Sequence, residues 1–288
     1  MSQYRFAVVA KTATTSDFAA AFCARLSHLT GLDIGASVVG SYEQLVAELA
    51  QSRCELAWTP PFVALESEAS AGVSLLAVVR RSFASGYHSA LFARADARIR
   101  ALSDLQGVTV AWGSPWSASA YIVPRWHLRS KGIDLARAFA RELRFARHEA
   151  IARAVWERVV DIGACHVGVD PVSGQLASAP WQTVTGALGA MRVLLLVGPI
   201  PGDVILATPS LSLDARDRVV AALLSLRSAD PGMTELFDAT SFEPVPVGHL
   251  ALLRRRSSDL ASPSSPATGD VVPLLSAPGT ADVRPRSA

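Results

Sequence analysis

The stretch VTVAWGSPWSASAYIVP, residues 108–124, decides how the rest of the chain is read. Residues 108–112 are rich in β-branched and aromatic side chains and read as a strand. Gly113, Ser114 and Pro115 form a turn, and a helix is predicted over about 117–130, ending at Gly132. That order sets the first N–H groups of a helix beside the hydroxyls of Ser114, Ser117 and Ser119. Such N–H groups have no partner inside the helix. Together with the helix dipole they attract an oxyanion: phosphate, phosphonate, sulfate or carboxylate. A plainer reading stands beside this one, in which Ser114 or Ser117 is an ordinary N-cap and Trp112 and Trp116 are core residues. The stretch is not a Walker A loop, because GxxxxGK[ST] is absent, and no GxSxG marks a nucleophile elbow.

Outward from this stretch, strands and helices alternate. Residues 4–10 read as a core strand. Asp17 is the expected cap of a helix with Phe18, Phe22, Leu26 and Leu29 on one face, ended by Gly31. A strand at 36–39 precedes SYEQLVAELAQ, where Ser41 and Gln44 have capping-box spacing. Residues 54–58, 74–80 and 87–93 are further strands. Past the opening stretch come a strand at 143–146, a helix at 149–158 and a strand at 161–168. Strands at 192–198 and 203–208 are separated by the breaker PIPG, and helices follow at 214–226 and 231–237. This is βαβ logic: an α/β fold of largely parallel sheet covered by helices. From about 257 to 288 Pro, Ser, Ala and Gly dominate. That tail reads as flexible, with VVPLL (271–275) its one apolar run.

Bulk composition narrows the function classes. The chain has 288 residues, 50% of them hydrophobic, enough for one large or two modest domains. With 27 basic against 25 acidic residues, net charge is +2, which gives no electrostatic case for nucleic acid. Cys23, Cys54 and Cys165 show no CxxC spacing, so a disulfide scaffold is not expected. The longest apolar runs fall well short of the roughly 18 residues of a membrane helix. The N-terminus MSQYRFAVVAKT lacks the apolar core and cleavage site of a secretory signal. The expected location is the periplasm or another extracytoplasmic space if a leader was removed, and otherwise the cytoplasm.

Several segments together resemble the periplasmic phosphate/phosphite/phosphonate-binding proteins of ABC transporters, the type 2 solute-binding class. They are SYEQLVAELAQSRCELAWTPPF, GYHSALFARADARIRALSDLQGVTVAWGSPWSASAYIVPRWHL, RHEAIARAVWERVVDIGACHVG and GPIPGDVILA, and the similarity runs over roughly residues 4–250. The resemblance implies a two-lobed fold with mixed sheets flanked by helices and a ligand cleft between the lobes. Lobe 1 would comprise 1–84 and 200–256, and lobe 2 residues 85–199, with hinges near 84 and 200. Ligand-facing positions would be Trp58, Tyr87, Trp116, Ser117, Ala118, Ser119, His148, His166 and Asp170. The family's S-T-S-G-Y stands here as Ser117-Ala118-Ser119-Ala120-Tyr121, which loses a hydroxyl at 118 and a glycine at 120. Trp116 adds a large ring beside the anion.

Each of these residues also has an ordinary reading. Trp58 precedes two prolines at the C-terminal edge of its strand, where open α/β folds bind ligands, yet it is equally a candidate for the core. Tyr87 offers a hydroxyl to a cleft or a ring to a neighbouring strand. His148 opens a helix, and its imidazole suits an oxyanion; His166 sits in a strand, where a core role is usual. Asp170 accepts from an amine or a protonated phosphonate, or it caps a helix over 171–178. The spacing of His148, His166 and Asp170 is no zinc signature, so no metal or other cofactor is expected. Nothing marks an activated nucleophile for a Ser117–His148–Asp170 triad.

The expected function is therefore a non-catalytic, monomeric solute-binding protein. It would take a small anionic or zwitterionic, phosphonate-like ligand and present it to an ABC permease. The alternatives are a small-molecule enzyme on the same architecture, similar to pyrimidine-precursor synthases or lyases of menaquinone synthesis, or a cytosolic ligand sensor.

Overall fold

The structure is a computed structural model and describes residues 4–10, 12–81, 86–251 and 253–254. The tail over 257–288, its VVPLL run and the expected hinge at residue 84 lie outside the described residues.

Two six-stranded sheets organise the described chain. The strands are β1 Tyr4–Val9, β2 Ile34–Val39, β3 Leu56–Thr59, β4 Ser74–Arg80, β5 Gly86–Arg94, β6 Val108–Trp112, β7 Phe139–Arg144, β8 Ile162–Val169, β9 Leu176–Ser178, β10 Met191–Pro201, β11 Val204–Ala207 and β12 Ser241–Glu243. The helices are α1 Thr15–Thr30, α2 Tyr42–Ala50, α3 Pro61–Ala71, α4 Val123–Ser130, α5 Leu135–Ala138, α6 His148–Trp156, α7 Gln182–Thr185, α8 Leu213–Ser225 and α9 Met233–Phe237. The first sheet runs β12-β4-β11-β3-β1-β2. The second runs β10-β5-β8-β6-β7, with β9 paired to β8. The first sheet is thus built from strands before residue 81 and after residue 203, and the second from those between. Parallel pairs (β1 with β2 and β3, β6 with β7 and β8) are joined through helices, and β11 returns antiparallel between β3 and β4. The fold is a mixed α/β architecture of two sheets flanked by helices, as the sequence resemblance implies.

Local chemistry explains most element boundaries. Ser41 caps α2 by accepting from Gln44 N at 3.2 Å, while the Gln44 side chain reaches back to Gly40 N–H at 2.9 Å, one residue beyond the usual partner of a capping box. Gly31 ends α1 at φ 67°, its N–H on Ser27 O, the left-handed closure that glycine tolerates without strain. Asp17 does not cap that helix: α1 begins at Thr15, so Asp17 sits in its first turn, where a carboxylate favours the dipole instead.

Three further expectations change in the structure. The PIPG segment does not separate two strands at 198; β10 continues through it to Pro201, with register shifts against β5 at Val193/Leu195 and Val197/Ile200 absorbing the irregularity. No helix covers 171–178: Asp170 opens a turn that leads into β9. The helix predicted from 117 starts as a wider π turn, Ala118–Ile122, before α4, and Ile122 N bonds Ser117 O at 3.0 Å.

Each sheet is buried on both faces. One core packs Phe6, Phe22, Phe237 and Phe242 edge to face between the first sheet and α1, α8 and α9. Another lies under α2 and α3 around Leu45, Leu49, Val63 and Leu206. The second sheet carries Phe92 and Trp181 on one face and Trp112, Leu128 and Phe139 on the other. All three cysteines are free and buried, and burial pushes the thiols of Cys23 and Cys54 up to about 12, so they stay protonated and inert.

Candidate functional site

The strand-turn-helix at 108–124 is built as the sequence implies. Gly113 lies so close to the following turn that a Cβ there would stand 2.7 Å from the Ala120 Cβ. A glycine is therefore needed for the chain to double back, and Gly113 N–H bonds Ala120 O at 2.9 Å. Ser117 is the N-cap: its Oγ accepts from Ala120 N at 3.1 Å. That role uses a lone pair and leaves the hydroxyl hydrogen free to donate. Ala118, Ser119 and Ala120 are buried. The helix from 118 through α4 runs for more than three turns, so its leading N–H groups stand at the positive end of a substantial dipole.

Around this turn the second sheet gathers residues far apart in sequence. Ser89 Oγ donates to Ser119 O at 2.6 Å, and Ser89 is the register partner of His166 on β8. His166 N–H reaches His148 Nδ1, on the first residue of α6, at 3.4 Å, and the two imidazoles meet edge to face with centroids 4.5 Å apart. Tyr87 on β5 lies edge-on to His166 at 6.5 Å. It also joins an apolar contact with Ala118, Val123, Ile200 and Phe62. The structure thus brings Tyr87, Ser117, Ala118, Ser119, His148 and His166 together. Burial holds the His166 pKa below its usual value, and the charge of Arg81 adds to this against Glu149, Asp238 and Asp203. The ring is accordingly neutral near pH 7.

Three expected ligand residues stand elsewhere. Trp58 is 3% exposed in the first core, its indole edge-on to Phe237 at 5.6 Å. Asp170 is at the surface, where Oδ1 takes Val172 N at 3.0 Å, Ser173 N at 2.7 Å and Ser173 Oγ at 3.0 Å. Those bonds hold its carboxyl below the ordinary range and commit it to its own turn. Trp116 turns away from the histidines: its Nε1 donates to Glu43 Oε1 at 2.6 Å, and its ring packs on the core under α2 and α3. Since Glu43 belongs to the first sheet's layer and Trp116 follows β6 of the second, this bond joins the two halves.

Two groups absent from the sequence-based set stand near Tyr87, whose register partner Ile200 lies three residues before Asp203. Arg81, just after β4, donates from Nη2 to Asp203 Oδ2 at 2.7 Å. Their charges act on Tyr87 and on Tyr42 at the start of α2: burial raises both phenol pKa values, Asp203 raises them further and Arg81 pulls the other way. No sequence motif announces the pair, because only the antiparallel return of β11 beside β4 unites it. A groove of about 890 Å³ lies apart, between α3 and the 115–122 turn, lined by Phe62, Leu65, Glu68 and Trp116 among others; none of Tyr87, Ser117, His148 or His166 lines it. Among the described residues no three His, Cys, Asp or Glu side chains are placed to hold a metal ion. No described helix is long and apolar enough to cross a membrane.

The family model described as "ABC transporter, phosphonate, periplasmic substrate-binding protein" matches residues 8–247. The chain belongs to this phosphonate-binding family. No curated protein matches it. Among solved structures, a binding-protein component of a Pseudomonas aeruginosa ABC phosphonate transporter superposes with a TM-score of 0.69 at 20% identity, covering 88% of this chain and 85% of that one. A Prochlorococcus marinus protein in complex with methylphosphonate gives 0.70 at 13% identity, covering 89% and 97%. A Xanthomonas citri protein bound to chloride gives 0.69 at 20%, covering 89% and 99%. At these identities the likeness is one of fold. The family membership makes this phosphonate-binding family member a non-catalytic, extracytoplasmic substrate-binding component of an ABC uptake system, with a small phosphonate-like anion as its ligand and a permease as its partner.

Proposed function

We propose that this protein binds an alkylphosphonate or a similarly small oxyanion between two lobes, residues 1–84 with 200–256 and residues 85–199, and delivers it as a closed monomer. The anion would sit at the 117–119 helix start, taking main-chain N–H groups of Ala118 and Ser119, the Ser117 hydroxyl and an imidazole N–H of the His148–His166 pair. The observation that carries this reading is the convergence of Tyr87, the 117–119 turn, His148 and His166 from four separate elements of one sheet layer. Neutral donors suit such a ligand: aimed N–H and O–H groups in a site that closes away from water hold an oxyanion strongly and reject a ligand that leaves one of them unmatched. Closure of the lobes supplies the signal a permease reads.

The test is a thermal-shift and calorimetric titration with methylphosphonate, phosphate, phosphite and sulfate, repeated on a Ser117→Ala/Ser119→Ala variant. The variant should lose the anion-dependent shift. Its unliganded stability should fall by only about 1–2 kcal/mol, the scale of a lost N-cap. A variant that keeps the full shift would remove these residues from the binding role.

A further inference from the structure

Where β4 ends and β11 begins, the first sheet carries a fixed pair of opposite charges. Val79 N–H donates to Asp203 O at 2.8 Å, which ties the end of β4 to the start of β11, and the side chains of Arg81 and Asp203 are then bonded at 2.7 Å. Asp203 is 8% exposed. Arg81 Nε also lies 4.0 Å from Asp238 Oδ2, a carboxylate whose side chain is 85% exposed and therefore well hydrated. The guanidinium has five N–H donors, and one direct hydrogen bond to Asp203 leaves others to face a ligand. Tyr87 is the register partner of Ile200 and Gly86 that of Pro201, so Asp203, two residues further on, and the Arg81 bonded to it stand at the end of β5 that carries Tyr87 of the proposed site.

An ammonium group on a ligand needs a carboxylate with lone pairs to spare. Among the described residues the buried carboxylate is Asp203, already bonded to a guanidinium whose charge would repel a second cation brought alongside it. An oxyanion gains from the same charge, and Arg offers it paired donors in a fixed plane. We infer that Arg81, held in place by Asp203, makes the site select oxyanions that carry no ammonium group, so that simple alkylphosphonates bind and aminoalkylphosphonates are turned away. This rests on the oxyanion-binding reading above and adds the charge class of the ligand's other end.

Propylphosphonate and 2-aminoethylphosphonate have the same length and shape and differ in a terminal methyl against an ammonium. In calorimetry the wild-type protein should bind the propyl compound at least about tenfold more tightly, the scale expected of one misplaced charge at a partly sheltered site. Arg81→Ala should narrow that ratio to about one or invert it, because Asp203 is released to take the ammonium. Arg81→Gln removes the charge at similar length and gives the same readout where the alanine variant does not fold, with circular dichroism and thermal unfolding as the check. Equal or tighter binding of the amino compound by wild type would overturn the inference and leave oxyanion binding intact. So would an unchanged ratio in a folded Arg81 variant. Failure of wild type to bind either compound or any other oxyanion would refute the oxyanion reading, and this inference with it.

Discussion

The bond from Trp116 to Glu43 makes a prediction about affinity at a point away from the histidine cluster. Glu43 stands on α2 of the first layer and Trp116 follows β6 of the second, so under the lobe closure proposed above the 2.6 Å contact belongs to the closed state. Burial works to raise the Glu43 pKa, but bonds from its own backbone N–H, Ser41 and Trp116 outweigh it and hold the carboxyl below its ordinary value, so the acceptor is ionised at neutral pH. A hydrogen bond to a charged group contributes roughly 1.5–3 kcal/mol when sheltered. Glu43 is exposed and water competes for it, which reduces the figure to about 1 kcal/mol. Removing the bond weakens the closed state by that amount relative to the open one. A ligand held by both halves should then bind about fivefold more weakly. Trp116→Phe keeps most of the ring packing and loses the donor; Glu43→Ala loses the acceptor. Each should raise the methylphosphonate Kd by about that factor in calorimetry, and the double variant should be little worse than either single one, because both remove the same bond. Fully additive losses, or single variants with wild-type affinity, would refute the reasoning.

Two more outcomes follow from where the other side chains sit. Trp58→Ala should cost about 3–5 kcal/mol in denaturant unfolding, because it opens a cavity beside Phe237, while a refolded sample should keep its ligand preference; a binding loss without a stability loss would return Trp58 to the site. Acid should destabilise the unliganded protein earlier than its carboxylates alone would dictate. The pKa values of His166 and His88 are held below the ordinary value near 6.5, chiefly by burial, so the unfolded chain takes up protons that the folded chain resists, and stability declines as pH falls through about 6.5. Asp170 and Asp230, both depressed, add their losses only at lower pH. Thermal unfolding between pH 7.5 and 5.5 should show the decline, and His166→Phe should flatten it; an unaltered slope in that variant would show that His166 is not resisting protonation.

Strand and helix order was legible in the sequence because each element obeys a short-range rule: β-branched runs for β1 and β6, hydroxyl caps at Ser41 and Ser117, glycine stops at Gly31 and Gly132. The 117–119 turn was legible for the same reason, since its chemistry lies within a dozen consecutive residues. Trp58 shows the limit. Its place before two prolines points to an exposed strand end, but alternation along β3 sends the indole to the face beneath α1 and α9, and the ring that receives it, Phe237, belongs to a helix near the end of the described chain. Asp170 was misplaced by resemblance although its own neighbours held the answer: Asp170 with Ser173 three residues on is turn chemistry. Arg81 and Asp203 carry no local signal. An arginine after a strand and an aspartate before one are commonplace, and they become a pair only because β11 crosses back from the second sheet and lies antiparallel to β4. The selectivity proposed for this pair therefore depends on topology, whereas the oxyanion contacts proposed for the 117–119 turn depend on a few consecutive residues.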